Sequence, residues 1–231
     1  MSPRILAVSG ALLIALAVPA GAKAAVTIDQ LSKPCYVTAL TGGERQGEGM
    51  VVKAHGFTAN SLVDISFDGE LAYTGRQTDA NGDLGVLSPL VVPAPFIRKG
   101  SADFTMTLTE QGNPANSATI TGRHTALGVK VKPRRARPSS KIRFSGAGFT
   151  ANKPVYAHYV YGGKVRKTVK MSRDPNKCGE WTRRARQIPV SDPGIGLWTV
   201  QFDQLKKYKD PVTTQNFNSV YVWLQISVSF G

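Results

Sequence analysis

Across 231 residues the chain carries 29 Lys and Arg against 15 Asp and Glu, a formal charge of +14, with only two cysteines. One cysteine pair excludes a multi-bridge disulfide scaffold, and no apolar run is long enough to cross a hydrocarbon core of about 30 Å. The surplus of cations points toward polyanionic partners.

The chain opens on what reads as an export signal. Arg4 precedes an apolar run from Ile5 to Val18, and the small residues Ala20, Ala22 and Ala24 follow. Small side chains at positions −3 and −1 suit a signal peptidase, so residues 1–24 are predicted to be removed, with cleavage after Ala22 as the competing choice. No cysteine borders the apolar run to take a lipid anchor. The mature chain is expected to be soluble and either secreted or held at the cell envelope.

Beyond the leader no stretch sustains helical periodicity. Short β-rich runs alternate with turn residues at the spacing of a sandwich. Strands are predicted near 36–40, 49–55, 62–67, 70–77, 84–90, 102–110 and 118–122, then near 128–132, 140–145, 155–161, 164–171, 180–188, 196–205 and 220–230. Asp68-Gly69 and Gly162-Gly163 each join two such runs, where a tight hairpin needs positive φ. Pro89, Pro93, Pro95, Pro189 and Pro193 cannot donate to a ladder and mark crossings between sheets.

The runs form two copies of one pattern. Gly56-Phe57-Thr58-Ala59-Asn60 recurs unchanged as Gly148-Phe149-Thr150-Ala151-Asn152, and Phe104-Thr105-Met106-Thr107-Leu108 is matched by Trp198-Thr199-Val200-Gln201-Phe202. Asp79 to Asp83 is matched by the stretch Asp174 to Gly179. The fold class is therefore all-β, with two tandem immunoglobulin-like sandwiches at 26–126 and 127–231. Core positions are expected at Val51, Phe57, Phe67 and Phe104 in the first, and at Phe149, Tyr159, Trp181, Trp198 and Trp223 in the second.

The repeated Gly-Phe-Thr-Ala-Asn, with Thr78-Asp79-Ala80-Asn81-Gly82-Asp83, resembles the second-strand signature of secreted actinobacterial immunoglobulin-like modules. It is distantly similar to the neocarzinostatin-type apoproteins. The resemblance implies a β-sandwich in tandem. It does not carry chromophore binding, because the two short-range cysteine pairs of that family are absent from this chain.

Charge divides unevenly between the copies. Residues 25–126 hold 7 Lys and Arg against 10 Asp and Glu, whereas 127–231 hold 20 against 5. In the second copy Lys164, Arg166, Thr168 and Lys170 alternate along one run, predicting a ladder of cations on one strand face. Arg184 and Arg186 form a second group, Lys130, Lys132, Arg134, Arg135 and Arg137 a third, and Lys206, Lys207 and Lys209 a fourth. Tyr156, His158 and Tyr161 lie beside the ladder and offer a stacking surface for bases or sugars. Such a footprint suits a polyanion: an anionic wall polymer, an acidic polysaccharide, an anionic membrane surface or, less readily, nucleic acid. The competing view is a solvated surface with no dedicated ligand.

Other chemistry finds little support. Asp79-Ala80-Asn81-Gly82-Asp83 supplies too few ligands for a calcium loop and is ordinary turn sequence. His55, His124 and His158 stand in no nucleophile motif, and no metal-ligand spacing or cofactor motif occurs. Cys35 and Cys178 occupy unequal positions in the repeat. A bond between them, two free thiols and an intermolecular bond all stay open. The expected function is a non-catalytic envelope module whose basic second domain contacts an anionic polymer. The alternative is a carrier holding a small molecule in a sandwich or in a cleft between domains.

Overall fold

The computed structural model describes residues 25–41, 44–91, 101–210 and 222–229; the predicted leader, Pro93 and Pro95 lie outside them. Sixteen strands occur among the described residues. They are β1 (Thr27–Ile28), β2 (Tyr36–Thr41), β3 (Glu44–Gly47), β4 (Gly49–His55), β5 (Leu62–Phe67), β6 (Glu70–Gln77), β7 (Leu84–Val91), β8 (Ser101–Glu110) and β9 (Asn113–Ala126), followed by β10 (Gly128–Lys132), β11 (Lys141–Ala147), β12 (Val155–Tyr161), β13 (Lys164–Ser172), β14 (Trp181–Arg186), β15 (Gly196–Asp203) and β16 (Val222–Val228). The protein is all-β, built as two tandem immunoglobulin-like sandwiches.

In the first sandwich a β1-β4-β7 sheet faces a β3-β2-β9-β8-β5-β6 sheet; in the second, β10-β11-β14 faces β13-β12-β15-β16. Neighbouring strands are antiparallel except β2, which runs parallel to β9. Period-two alternation decides which side chains go inside. Along β4, Met50, Val52 and Ala54 are buried while the residues between them face out. Val51, expected in the core, is 43% exposed, because the inward positions of that strand belong to its even-numbered neighbours. The first core gathers Phe57, Phe67 and Phe104 with Ile65, Met106 and Leu108. Phe149, Tyr159, Trp181, Trp198 and Phe202 fill the second. Each such side chain contributes roughly 1.5–3 kcal/mol by leaving water. The Trp223 side chain lies outside the described residues.

The shared pentapeptide has a backbone reason. Gly56 and Gly148 adopt φ of 90° and 79°, and Asn60 and Asn152 adopt 54° and 57°, in the left-handed region that Gly and Asn tolerate. Phe57 and Phe149 plug the cores between them. A side chain from the end of the facing strand caps each turn: Thr58 N–H donates to Glu110 Oε2 at 3.0 Å, and Thr150 N–H to Gln204 Oε1 at 2.9 Å.

Beside each pentapeptide lies an Asx turn. Asp79 Oδ1 accepts the N–H groups of Asn81 and Asp83 at 2.8 and 2.9 Å. Asn176 Oδ1 accepts those of Cys178 and Glu180 at 3.0 and 2.9 Å. The partner of Asp79 is thus Asn176 rather than Asp174, since five more residues separate the pentapeptide from the turn in the second copy than in the first. Backbone N–H donors hold the Asp79 carboxyl below its ordinary range, those of Asp83 and Asn81 foremost. The group is occupied with turn geometry. Gly82 and Gly179 cannot be replaced cheaply: a Cβ would stand 2.0 and 1.8 Å from the carbonyl oxygens of Phe57 and Phe149, at φ of +78° and +67°.

The Tyr159 hydroxyl is an unsatisfied polar group in the second core. Tyr159 is fully buried, its hydroxyl has no hydrogen-bond partner, and burial pushes its pKa well up. Tyr159→Phe removes a desolvated hydroxyl while keeping the ring, so a gain of about 0.5–1.5 kcal/mol is expected. Urea denaturation measures it; a clear loss of stability would show that the hydroxyl is bonded.

Candidate functional site

The register of the β10-β11-β14 sheet builds a cationic face. Lys132 pairs with Arg143, and Arg143 with Arg184; Lys141 pairs with Arg186; Lys130 pairs with Ser145, and Ser145 with Thr182. Cross-strand partners share a face, and Ile142 and Phe144 between them point into the core. Six cations, Lys130, Lys132, Lys141, Arg143, Arg184 and Arg186, therefore stand on one outer surface, all exposed. With strands ~4.8 Å apart and alternate residues ~6.8 Å apart, they occupy a patch of roughly 10 by 14 Å.

Nothing on the face neutralises them. The five acidic residues of 127–231, Asp174, Glu180, Asp192, Asp203 and Asp210, all fall outside β10, β11 and β14. Among the described residues none of the six cations belongs to an ion pair. Like charges directly opposite on neighbouring strands are destabilising, so this face carries a standing cost to the fold. The first sandwich differs. There β4 presents Val51, Lys53 and His55, and His55 sits 2.9 Å from Asp83 and 3.5 Å from Asp29. The hydrogen bond with Asp83 raises its pKa.

Sequence-predicted cations fall in four places, one of them Lys206, Lys207 and Lys209 in the segment after β15. Arg184 and Arg186 lie on this face with Lys130 and Lys132. Arg134, Arg135 and Arg137 lie in the connection from β10 to β11, at the end of the sheet remote from the first sandwich. Lys164, Arg166 and Lys170 lie on β13, the edge strand of the opposite sheet. The single-faced ladder predicted for β13 does not form. A bulge at Tyr159/Val160 shifts the register, so Lys170 stands opposite Tyr156 whereas Lys164 stands opposite Tyr161. Tyr161 packs its ring on the core residue Trp198 at 4.8 Å, so Lys164 and Lys170 belong to different sides of the sheet. Lys141 and Arg143, which complete the face, were missed by sequence reasoning. Their signal was the Lys-Ile-Arg-Phe alternation of β11, legible as a strand with outward cations.

The stacking surface predicted at Tyr156, His158 and Tyr161 is divided too. Lys170 Nζ covers the Tyr156 ring at 5.9 Å and Arg166 lies 5.8 Å from the Tyr161 ring. His158 is fully buried. Its Nδ1 lies 2.9 Å from Thr168 Oγ1, and its Nε2 lies 3.2 Å from Asp203 Oδ1 and 3.0 Å from the Leu205 carbonyl. Both ring nitrogens are engaged within the protein.

The two sandwiches meet beside the cationic face. A disulfide joins Cys35, just before β2, to Cys178 in the Asx turn before β14, with Cα atoms 5.3 Å apart. Ser101 Oγ donates to Glu180 Oε1 across the same junction. Leu127 N–H donates to the Thr38 carbonyl at 2.8 Å. Between these contacts lies a cleft of about 600 Å³, lined by Ala126, Leu127, Val129, Ala147 and Trp181, with Lys130, Ser145 and Thr182 on the rim shared with the cationic face.

No protein-family model matches the chain, and no curated protein matches it. Among solved structures it is similar to a tetra-tandem repeat in the extending region of a large adhesion protein, at 15% identity and a TM-score of 0.27. That alignment covers 85% of this chain and 49% of the other. Extracellular cadherin domains 1–4 of protocadherin gamma B7 align at 10% identity and a TM-score of 0.22, over 87% of this chain and 49% of that one. The chain spans about half the length of each, and at these scores neither likeness carries an argument about function.

Proposed function

We propose that the chain is an exported, non-catalytic binding module. Its second sandwich docks on an anionic polymer or surface of the cell envelope through the outer face of β10-β11-β14. One observation carries the proposal: six unpaired cations share that face although their mutual repulsion costs stability. A solvated surface gains nothing from such crowding, whereas a polyanion relieves it and releases its counterions. The loop cations Arg134, Arg135 and Arg137, and Arg166, Lys164 and Lys170 on the β13 edge, extend the positive field around the second sandwich. The leader supports export, and the absence of a nucleophile or cofactor motif in the sequence supports a binding role.

The test is a salt titration of the mature chain against polyphosphate and against anionic vesicles. If all six cations engage a flexible polyanion, the slope of log K against log salt is expected near −4, about −0.7 per neutralised charge. A slope near zero, or no binding at low salt, overturns the proposal.

A further inference from the structure

Read from the junction outward, the face formed by β10, β11 and β14 changes chemistry in steps. Gly128 pairs with Ala147 and leaves a hollow; Lys130, Ser145 and Thr182 come next; the Lys132, Arg143 and Arg184 row follows, and then Lys141 and Arg186. The cationic surface thus runs without a break into the cleft between the sandwiches, whose volume of about 600 Å³ lies in the range that small ligands fill. At the cleft the charge reverses. Glu180 is the acid there, held by Ser101 Oγ on Oε1 and by Asn176 Nδ2 at 2.8 Å on Oε2. Those two hydrogen bonds also keep its carboxyl below the ordinary range. A carboxylate oxygen accepts at two positions, so each Glu180 oxygen retains one for a donor.

Resting on the polyanion reading, we infer that the occupant is an anionic glycan: its acidic groups lie on the cationic face, and a sugar unit enters the cleft. There the sugar's hydroxyls donate to Glu180 and its C–H face packs on Ala126, Leu127 and Ala147. A bare polyphosphate or a phosphodiester backbone would bring anions against Glu180 and offer it no donor. A sugar ring supplies the hydroxyl donors that a fixed carboxylate requires. The Ser145 and Thr182 hydroxyls, 3.2 Å apart on the rim, accept and donate at the transition between the two zones. Trp181 Nε1 is buried without a partner against Gly146 and reports on any movement of the cleft wall.

The test uses the mature full chain with two probes of matched charge, a polyuronate and an inorganic polyphosphate. Gly128 is the position to fill: a Cβ there meets nothing within 4 Å, and its φ is outside the left-handed region. Gly128→Leu, with an unchanged melting temperature, is expected to weaken polyuronate binding about tenfold, the equivalent of one lost contact of ~1.4 kcal/mol, while polyphosphate binding stays within twofold. In the unaltered chain, polyuronate but not polyphosphate is expected to shift the Trp181 indole N–H resonance. Equal effects of Gly128→Leu on both probes, no effect on either, or an indole resonance that polyuronate leaves unmoved would overturn the glycan assignment. The double variant Arg143→Gln/Arg184→Gln weakens both probes if the polyanion reading holds. If it weakens neither, that broader reading fails, whatever the cleft does.

Discussion

Replacing Cys35 and Cys178 together by serine is expected to lower stability by about 2–5 kcal/mol and to split a single unfolding transition in two. The bond spans a sequence separation of 143 residues and encloses β2 through β13. Chain-entropy reasoning for a loop of that length gives roughly 5 kcal/mol, acting mainly on the unfolded state. Engineered and natural bonds commonly deliver less, so the lower part of the range is equally compatible. Both cysteines are 6% exposed, so serine also places two hydroxyls in a site with little water. Without the bond the junction retains the Ser101 to Glu180 hydrogen bond and the Leu127 to Thr38 backbone bond. Two contacts of that size hold two separately cored sandwiches together only weakly. Calorimetry of the double variant, or of the native chain with reductant, measures the effect. A melting curve unchanged in position and shape would mean that the domains are coupled by something other than the disulfide.

The second large effect has two signs. Replacing Lys132, Arg143, Arg184 and Arg186 by glutamine is expected to weaken polyanion binding about 10²-fold or more at low salt, and to flatten the salt dependence by about 3 in the log–log slope. The same variant is expected to be more stable than the native chain at low ionic strength, because each like-charged cross-strand pair it removes costs roughly 0.2–1 kcal/mol. The row Lys132–Arg143–Arg184 contains two such pairs and Lys141–Arg186 a third. Added salt narrows the stability difference by screening exposed charges within about 10 Å at 0.1 M. Opposite movements of affinity and stability distinguish a binding face from a solubilising one. If stability rises while affinity for every polyanion stays level, the charges serve solubility.

Strands and turns were largely legible because their determinants are local. The limits of β4, β5, β6, β10 and β12 follow from alternation closed by Gly, Asn or Asp, and the structure places them at the predicted residues. β1 and β3 were missed: two residues and the run Glu44-Arg45-Gln46-Gly47 contain no apolar alternation to detect. β9 is longer than predicted because Asn113 to Ala118 gains its order from pairing with β8 rather than from its own pattern. The candidate site was only half visible for the same reason. Arg184 and Lys132 are 52 residues apart in the chain and meet only through Arg143, by a register that no local window contains. In β13 the alternation was read correctly, but one bulge, fixed by its pairing with β12, reversed the sense of half the strand.

The cross-link between Cys35 and Cys178 also sets the path of mechanical force. A pull on residue 25 and residue 229 travels along the chain to Cys35, crosses the covalent bond and leaves from Cys178. The strands from β2 to β13 lie on the bypassed loop and bear no direct tension. Stretching therefore peels β1 from the first sandwich and β14, β15 and β16 from the second, while the backbone between the two cysteines cannot be drawn out. The extensible length is confined to the segments outside the bond, 25–34 and 179–229, about 61 residues or ~200 Å at 3.3–3.6 Å per residue. Reduction adds the enclosed residues to that reach, so the oxidised protein behaves as a short tether and the reduced protein as a long one.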